Sequence, residues 1–289
     1  DEKKFPSGMK LIADNIHKND MLAGLWLAPF AATPKSYIYN KHKDWFVKNK
    51  NGKIPFASHN WGGFYALDIY NNEVRQYLKE VFDTVLNVWG YDMVKLDFLY
   101  ACCIIPFNGK SRGEIMCDAM DLIRELCGDK LILGCGVPLA PAFGKVDFCR
   151  IGADMALSWG KKPFSREDVS TKHALLNTIF RRELDGRAFL NDPDVFLLRD
   201  NNIKMSFEQR KLIAETASLF GNLLFVSDDV STYNSNQKDC FINVTTRNKA
   251  DINYVNMDSD GDISIKYTLD GEKKGYCFNI NSGDKKVLI

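Results

Sequence analysis

Short apolar runs alternate along the chain with longer stretches in which apolar residues recur every three or four positions. The short runs predict buried strands, and the longer stretches predict amphipathic helices. The predicted strands are residues 22–30, 91–99, 130–138, 147–154, 187–194 and 222–229. The predicted helices are residues 73–89, 111–127, 170–184 and 206–220. This alternation is typical of a parallel sheet with crossover helices, so we predict an α/β fold.

The pattern changes at about residue 231, where Asn, Asp, Ser and Thr become frequent. Short alternating runs follow, separated by the turn-forming strings DSDGD, DGEKKG and NSGD, which predict hairpins. We therefore predict an α/β domain over residues 1–230 and a small antiparallel β domain over residues 231–289.

Net charge, cysteine spacing and the absence of long apolar runs exclude several classes of function. A net charge of +1 with well-mixed signs argues against nucleic acid and against an anionic membrane surface as partners. A small neutral ligand fits better. The eight cysteines form no C-x-x-C pair, so we expect reduced, structural thiols without a metal site. No long apolar run and no signal peptide are evident, and we expect a cytoplasmic protein.

Acidic residues lie at or near the carboxyl ends of the predicted strands, where α/β folds build their active sites. They are Asp97, Asp154, Asp192, Asp194, Asp228 and Asp229. The string NDPD at 191–194 predicts a turn followed by a helix start, and contacts with a leaving group are the alternative.

Two pairs of oppositely charged residues are the candidate catalytic groups. Residues two apart in a strand share a face, so Lys95 and Asp97 point together while Leu96 and Phe98 point toward the helices. The pair is either a structural ion pair or a carboxylate nucleophile kept ionised by its neighbour. Arg150 and Asp154 form the second pair, in which Asp154 suits a general acid. Two such carboxyls about 5 Å apart would perform retaining glycoside hydrolysis.

Aromatic residues suit a sugar ligand, because indole rings match the apolar faces of sugar rings. Trp26 lies in a predicted strand, and Trp61 lies in residues 52–68, which we expect to be a long substrate loop. Both side chains are also compatible with an ordinary core position.

The strings KFPSGMKLIADNIHKNDMLAGLWLAPF, VKLDFLY, LGCGVPL, CRIGAD and FLNDPDVFLLRD occur in an order that resembles the retaining α-galactosidases of glycoside hydrolase family 36. The resemblance runs from residue 1 to about residue 229. It implies a (β/α)8 TIM barrel followed by a C-terminal antiparallel β domain. It also implies cleavage of terminal α-linked galactose from oligosaccharides with net retention and with no cofactor or metal.

The resemblance also assigns roles by position. Asp97 would be the nucleophile and Asp154 the acid/base. Lys95, Arg150 and Trp26 would bind the sugar, with Cys135 and Gly136 beside it and Trp61 on the substrate loop. The family's N-terminal β domain and first two barrel strands have no counterpart here, so the predicted strands would be the third to the eighth.

Other functions stay open from the sequence. A related α-N-acetylgalactosaminidase, a galactosyl transferase similar to raffinose synthase, and a sugar-binding fragment without catalysis would each fit. A barrel that binds a divalent ion through Asp97, Asp154 and Asp194 would use the same acidic residues. Homo-oligomerisation is open as well.

Overall fold

The computed structural model describes residues 2–160 and 169–288. The chain divides into two compact units, Asp1–Cys149 and Arg150–Ile289. Within the described stretches, every helix is too short or too polar to pass through a lipid bilayer.

The first unit is built around parallel strands that alternate with helices. Strands β1, β5, β6 and β7 pair in parallel in that order, and β7 ends at the first residue of the second unit. The elements are α1 (Gly8–His17), β1 (Gly24–Leu27), β2 (Ala31–Ala32), α2 (Tyr37–Lys41), β3 (Phe56–Ser58), β4 (Phe64–Ala66), α3 (Asn72–Asp83), β5 (Met93–Leu96), α4 (Arg112–Cys127), β6 (Leu131–Gly134) and β7 (Phe148–Arg150). Helix α3 continues as the π-helical segment Thr84–Val88.

Local chemistry sets the ends of the long helices. Helix α4 begins with a capping box in which the Ser111 hydroxyl accepts the Glu114 N–H and the Glu114 carboxylate accepts the Ser111 N–H. It ends at Gly128, whose φ of +54° costs a glycine little. Leu78 and Phe82 on α3 are almost fully buried, as the helical spacing of apolar residues predicts.

Residues 52–68 differ from the predicted long loop, because they contain two strands of a small sheet that spans residues 31–66. Strands β2, β4 and β3 form a small antiparallel sheet in that order. Phe64 is fully buried, so part of the predicted substrate loop packs into the core.

The second unit combines further α/β elements with an antiparallel sheet. Strand β10 pairs in parallel with β9, and β11 to β14 form an antiparallel sheet in chain order. The elements are α5 (Thr171–Phe180), β8 (Leu190–Asp192), β9 (Val195–Phe196), α6 (Phe207–Phe220), β10 (Phe225–Val226), α7 (Ser235–Thr245), β11 (Asp251–Met257), β12 (Asp262–Leu269), β13 (Glu272–Asn279) and β14 (Lys285–Val287).

One hydrophobic core runs through this second unit. Helices α5, α6 and α7 contribute to it together with β12 and β13. Core residues from these elements include Leu175, Ile179, Leu212, Ile213, Val244, Ile263, Ile265, Tyr276 and Phe278. The core therefore draws on residues from both sides of position 230, and the domain boundary placed there stays a prediction.

The structure confirms the α/β class, and each predicted strand contains an observed one. The antiparallel sheet predicted after residue 231 is present, but helix α7, which was not predicted, precedes it. Its start carries a capping box between Asn234 and Gln237, a sequence signal that could have revealed the helix. Helix α1 was also not predicted.

Candidate active site

Asp97 follows β5 directly, and its carboxylate is held by two N–H donors. The Asp97 N–H donates to the Leu27 carbonyl oxygen at 2.9 Å, which fixes the backbone against β1. One carboxylate oxygen, Oδ1, accepts the N–H of Phe98 at 2.7 Å, and the other, Oδ2, accepts the indole N–H of Trp26 at 3.2 Å. The two donors fix the orientation of the carboxylate at the end of β5.

Lys95 lies on β5 two residues before Asp97 and in register with Trp26 on β1. It is half-buried, whereas Val94 and Leu96 on either side of it are fully buried. This alternation agrees with the prediction that Lys95 and Leu96 point to opposite faces of the strand.

Phe98 departs from the predicted orientation. Its φ of +52° is in the left-handed region, so the strand alternation ends at Asp97. Instead of facing the helices, its ring packs against Trp61 at 4.6 Å and Phe64 at 5.3 Å between centroids. The turn therefore joins Asp97 to the aromatic residues of the 31–66 segment.

Trp61 and Trp26 come together although they are far apart in sequence. Their rings meet edge to face with centroids 5.6 Å apart. Trp61 is 52% exposed and Trp26 is 45% exposed, so both indoles present open surface beside Asp97. Such a surface is what an indole platform for a sugar ring requires.

Gly136 lies against the nucleophile turn. Its carbonyl oxygen accepts the Tyr100 N–H at 2.8 Å, and its φ is +59°. A β-carbon at this position would lie 3.0 Å from the Phe98 nitrogen and 3.4 Å from Asp97 Oδ1. The neighbouring Cys135 is buried, and its N–H donates to the Leu96 carbonyl at 2.8 Å.

In the second unit, Arg150 at the end of β7 contacts three carboxylates. Its Nε donates to Asp192 Oδ2 at 2.9 Å, Nη1 donates to Asp154 Oδ1 at 2.9 Å, and Nη2 lies 2.7 Å from Asp194 Oδ1. The Arg150 side chain is 4% exposed, whereas that of Asp154 is 71% exposed. Asp154 is therefore the solvent-facing member of a buried network.

Sequence reasoning gave no role in this network to the NDPD turn. Asp192 Oδ1 accepts the Asp194 N–H at 2.8 Å, and Asp194 Oδ2 accepts the Met155 N–H at 2.6 Å. Burial raises the pKa of Asp194, and the Arg150 charge opposes that shift. The helix start predicted after the turn is wrong, because β9 follows it.

No three His, Cys, Asp or Glu side chains converge as metal ligands in residues 2–160 and 169–288. Asp154 and Asp194, two members of the proposed divalent-ion site, are ion-paired with Arg150 instead. All eight cysteines are free thiols.

Part of the chain is similar in sequence to known α-galactosidases. Residues 1–110 match the Melibiase family model. The α-galactosidase Mel36A of Lactobacillus acidophilus is 31% identical over 96 residues, which are 33% of this chain and 13% of that protein. Alpha-galactosidase 1 of Pediococcus pentosaceus is 29% identical over 121 residues, which are 40% of this chain and 16% of that protein.

The structure also resembles a solved α-galactosidase from Thermus thermophilus, in complex with p-nitrophenyl α-D-galactopyranoside, with a TM-score of 0.79 and 28% identity. The match covers 93% of this chain and 54% of that one, so the chain spans about half of the solved relative. Such neighbours confirm the fold class of a TIM-barrel sheet followed by a C-terminal β domain. The chain is therefore similar to α-galactosidases in sequence over its first part and in fold over most of its length.

Proposed function

We propose that the protein carrying this chain is a retaining exo-α-galactosidase that hydrolyses terminal α-linked galactose from oligosaccharides. The observation that carries the proposal is the Asp97 carboxylate, held by the Trp26 and Phe98 N–H groups at the end of a parallel strand. Two exposed indoles lie beside it, and the whole arrangement falls within the Melibiase match.

The reaction would proceed by double displacement. The Asp97 carboxylate attacks the anomeric carbon and forms a galactosyl ester while the bond to the leaving oxygen breaks. Asp154 gives its proton to that oxygen. Asp154 then takes a proton from water, whose oxygen attacks the anomeric carbon and releases Asp97. Two inversions at one carbon give net retention, and no metal or cofactor is required.

The remaining candidate residues would bind the sugar in different ways. Trp26 and Trp61 offer apolar ring faces for the sugar and its neighbour in the chain. Lys95 provides a cationic donor for sugar hydroxyls, whereas the buried Arg150 guanidinium contacts Asp154, Asp192 and Asp194 and acts through Asp154. Gly136, beside Asp97 and exposed, leaves room for the sugar because it has no side chain, and Cys135 supports it from the buried side.

The test is chemical rescue of the full-length protein. Asp97→Gly should hydrolyse p-nitrophenyl α-galactoside far more slowly, and added azide should restore turnover with β-galactosyl azide as the product. The unmodified protein with azide should give galactose alone, released first as the α-anomer in a proton NMR time course. Undiminished hydrolysis by Asp97→Gly would remove Asp97 from the role.

A panel of p-nitrophenyl α-glycosides and acceptor sugars separates the alternatives. Preference for the N-acetylgalactosaminide would indicate an α-N-acetylgalactosaminidase, and transfer to sucrose or a second galactoside would indicate a transferase. Calorimetric binding of galactose without turnover would indicate a sugar-binding module. A cytoplasmic location and self-association stay predictions.

A further inference from the structure

We propose that Asp194 is a positioning residue that holds Asp154 ready for proton transfer. The inference rests on the proposed function, in which Asp154 is the acid/base. It concerns a carboxylate that is buried.

The Asp194 carboxylate contacts both groups that control Asp154. Oδ1 lies 2.7 Å from Arg150 Nη2, and the same guanidinium donates from Nη1 to Asp154 at 2.9 Å. Oδ2 accepts the N–H of Met155, the residue that follows Asp154, at 2.6 Å. One carboxylate thus fixes the side-chain partner of Asp154 and the peptide that carries it.

Asp194 is itself held in place. Its N–H donates to Asp192, whose side chain is fully buried and also accepts Arg150 Nε. Its φ of +80° is unusual for a residue with a side chain, and such a backbone persists when the surrounding contacts determine it. The NDPD turn is therefore a rigid support.

Asp154 needs this support because little else packs on it. Its side chain is 71% exposed, so packing does not fix its rotamer. A general acid has to remain within hydrogen-bond reach of the leaving oxygen. We expect the Arg150 contact and the Met155 peptide to provide that constraint.

Asp194→Asn is the direct test. Asparagine keeps one acceptor oxygen and places an NH₂ group where the second oxygen was, so either Arg150 or the Met155 N–H faces a donor. The assay compares kcat/KM for p-nitrophenyl α-galactoside, whose phenolate leaves with little help from an acid, with kcat/KM for raffinose, whose leaving alcohol needs a proton. We expect a loss of about 100-fold for raffinose and less than about fivefold for the aryl substrate.

Asp228→Asn is the matched control. Asp228 is another aspartate of the second unit with a fully buried side chain, which accepts from the Arg199 guanidinium and from the Leu198 and Arg199 N–H groups. None of its observed partners is Arg150, Asp154 or Met155. Its loss should weaken the fold, and any fall in kcat/KM should be equal for the two substrates.

Asp194→Glu serves as the second variant if Asp194→Asn does not melt cooperatively. It keeps a carboxylate but shifts the oxygens by one methylene, and it should show a smaller loss that is again greater for raffinose. Equal losses for both substrates in an otherwise active protein, or no loss, would overturn the role of Asp194. Failure of the unmodified protein to hydrolyse either substrate would instead refute the proposed function, and with it this role.

Discussion

Replacing Gly136 by alanine tests whether the nucleophile turn depends on the close approach of two backbones. The new methyl group would lie 3.0 Å from the Phe98 nitrogen and 3.1 Å from its Cα. Both are backbone atoms, so neither can rotate away. The Asp97–Phe98 peptide would have to move by a few tenths of an ångström, and the Asp97 carboxylate would move with it.

Gly144→Ala is the control that measures the cost of a left-handed backbone without steric crowding. Gly144 has a φ of +68°, close to the +59° of Gly136, but a β-carbon there would meet no atom within 4 Å. The left-handed backbone costs an alanine about 1–2 kcal/mol. Crowding at Gly136 adds about 1–3 kcal/mol, as in an overpacked core. We therefore expect Gly136→Ala to lower the free energy of unfolding by about 2–5 kcal/mol and Gly144→Ala by about 1–2 kcal/mol.

Urea unfolding of both variants and kcat for p-nitrophenyl α-galactoside form the assay. Small displacements of a reacting group are costly, so kcat should fall at least about tenfold in Gly136→Ala and stay within about twofold in Gly144→Ala. The reasoning is wrong if the two variants unfold at the same urea concentration. Unchanged kcat in a destabilised Gly136→Ala would show instead that the turn relaxes away from Asp97.

Three further predictions concern stability and thiol chemistry. Ser111→Ala should lower the free energy of unfolding by about 1 kcal/mol in urea melts because α4 loses its capping box, and Ser111→Asp, which can still cap the helix, should recover most of it. Burial alone would raise the pKa of Asp228, but hydrogen bonds from Tyr233, Leu198 and Arg199 bring it below the ordinary value of 3.8. Because the folded pKa lies below the unfolded value, ionised Asp228 stabilises the fold above pH 3.8, and this stabilisation is lost as the pH falls through the folded pKa. Thermal melts from about pH 5 to about pH 2 should therefore show a smaller drop in Tm for Asp228→Asn than for the unmodified protein. Cys117 is exposed, Cys277 is half-buried and the other six cysteines are buried. Ellman's reagent should therefore label one cysteine rapidly in the native protein and all eight in urea. Rapid labelling of several thiols in the native protein would contradict this burial.

The sequence predicted the elements whose local signals agree with their surroundings. Helix α6 begins at the capping box of Ser206 and Gln209 and ends before Gly221, as the spacing of those residues indicates. The β5 run contains a charged residue at an alternate position, and the structure keeps Lys95 off the buried face. Periodicity and turn chemistry are sufficient for such elements because each acts within a few residues.

The features that sequence missed depend on contacts between distant residues. The left-handed conformation of Phe98 reflects aromatic packing against Trp61 and Phe64, which alternation within one strand does not contain. The role of the NDPD turn requires Arg150, which lies 42 residues before Asp192 in the chain. Tertiary packing therefore overrides strand alternation at Phe98. At the NDPD turn, a distant residue, Arg150, pairs with a turn whose local sequence predicts only a turn.

The edge-to-face pair of Trp26 and Trp61 should make the intrinsic tryptophan fluorescence sensitive to ligand binding. Of the five tryptophans, Trp45 and Trp159 are buried and Trp89 is half-buried, while these two are exposed and one of them donates to Asp97. A ligand that covers the two rings would remove water from both, so the emission maximum should shift to shorter wavelength on titration. Occupancy could then be followed by fluorescence in unlabelled protein, with a substrate analogue that is never turned over.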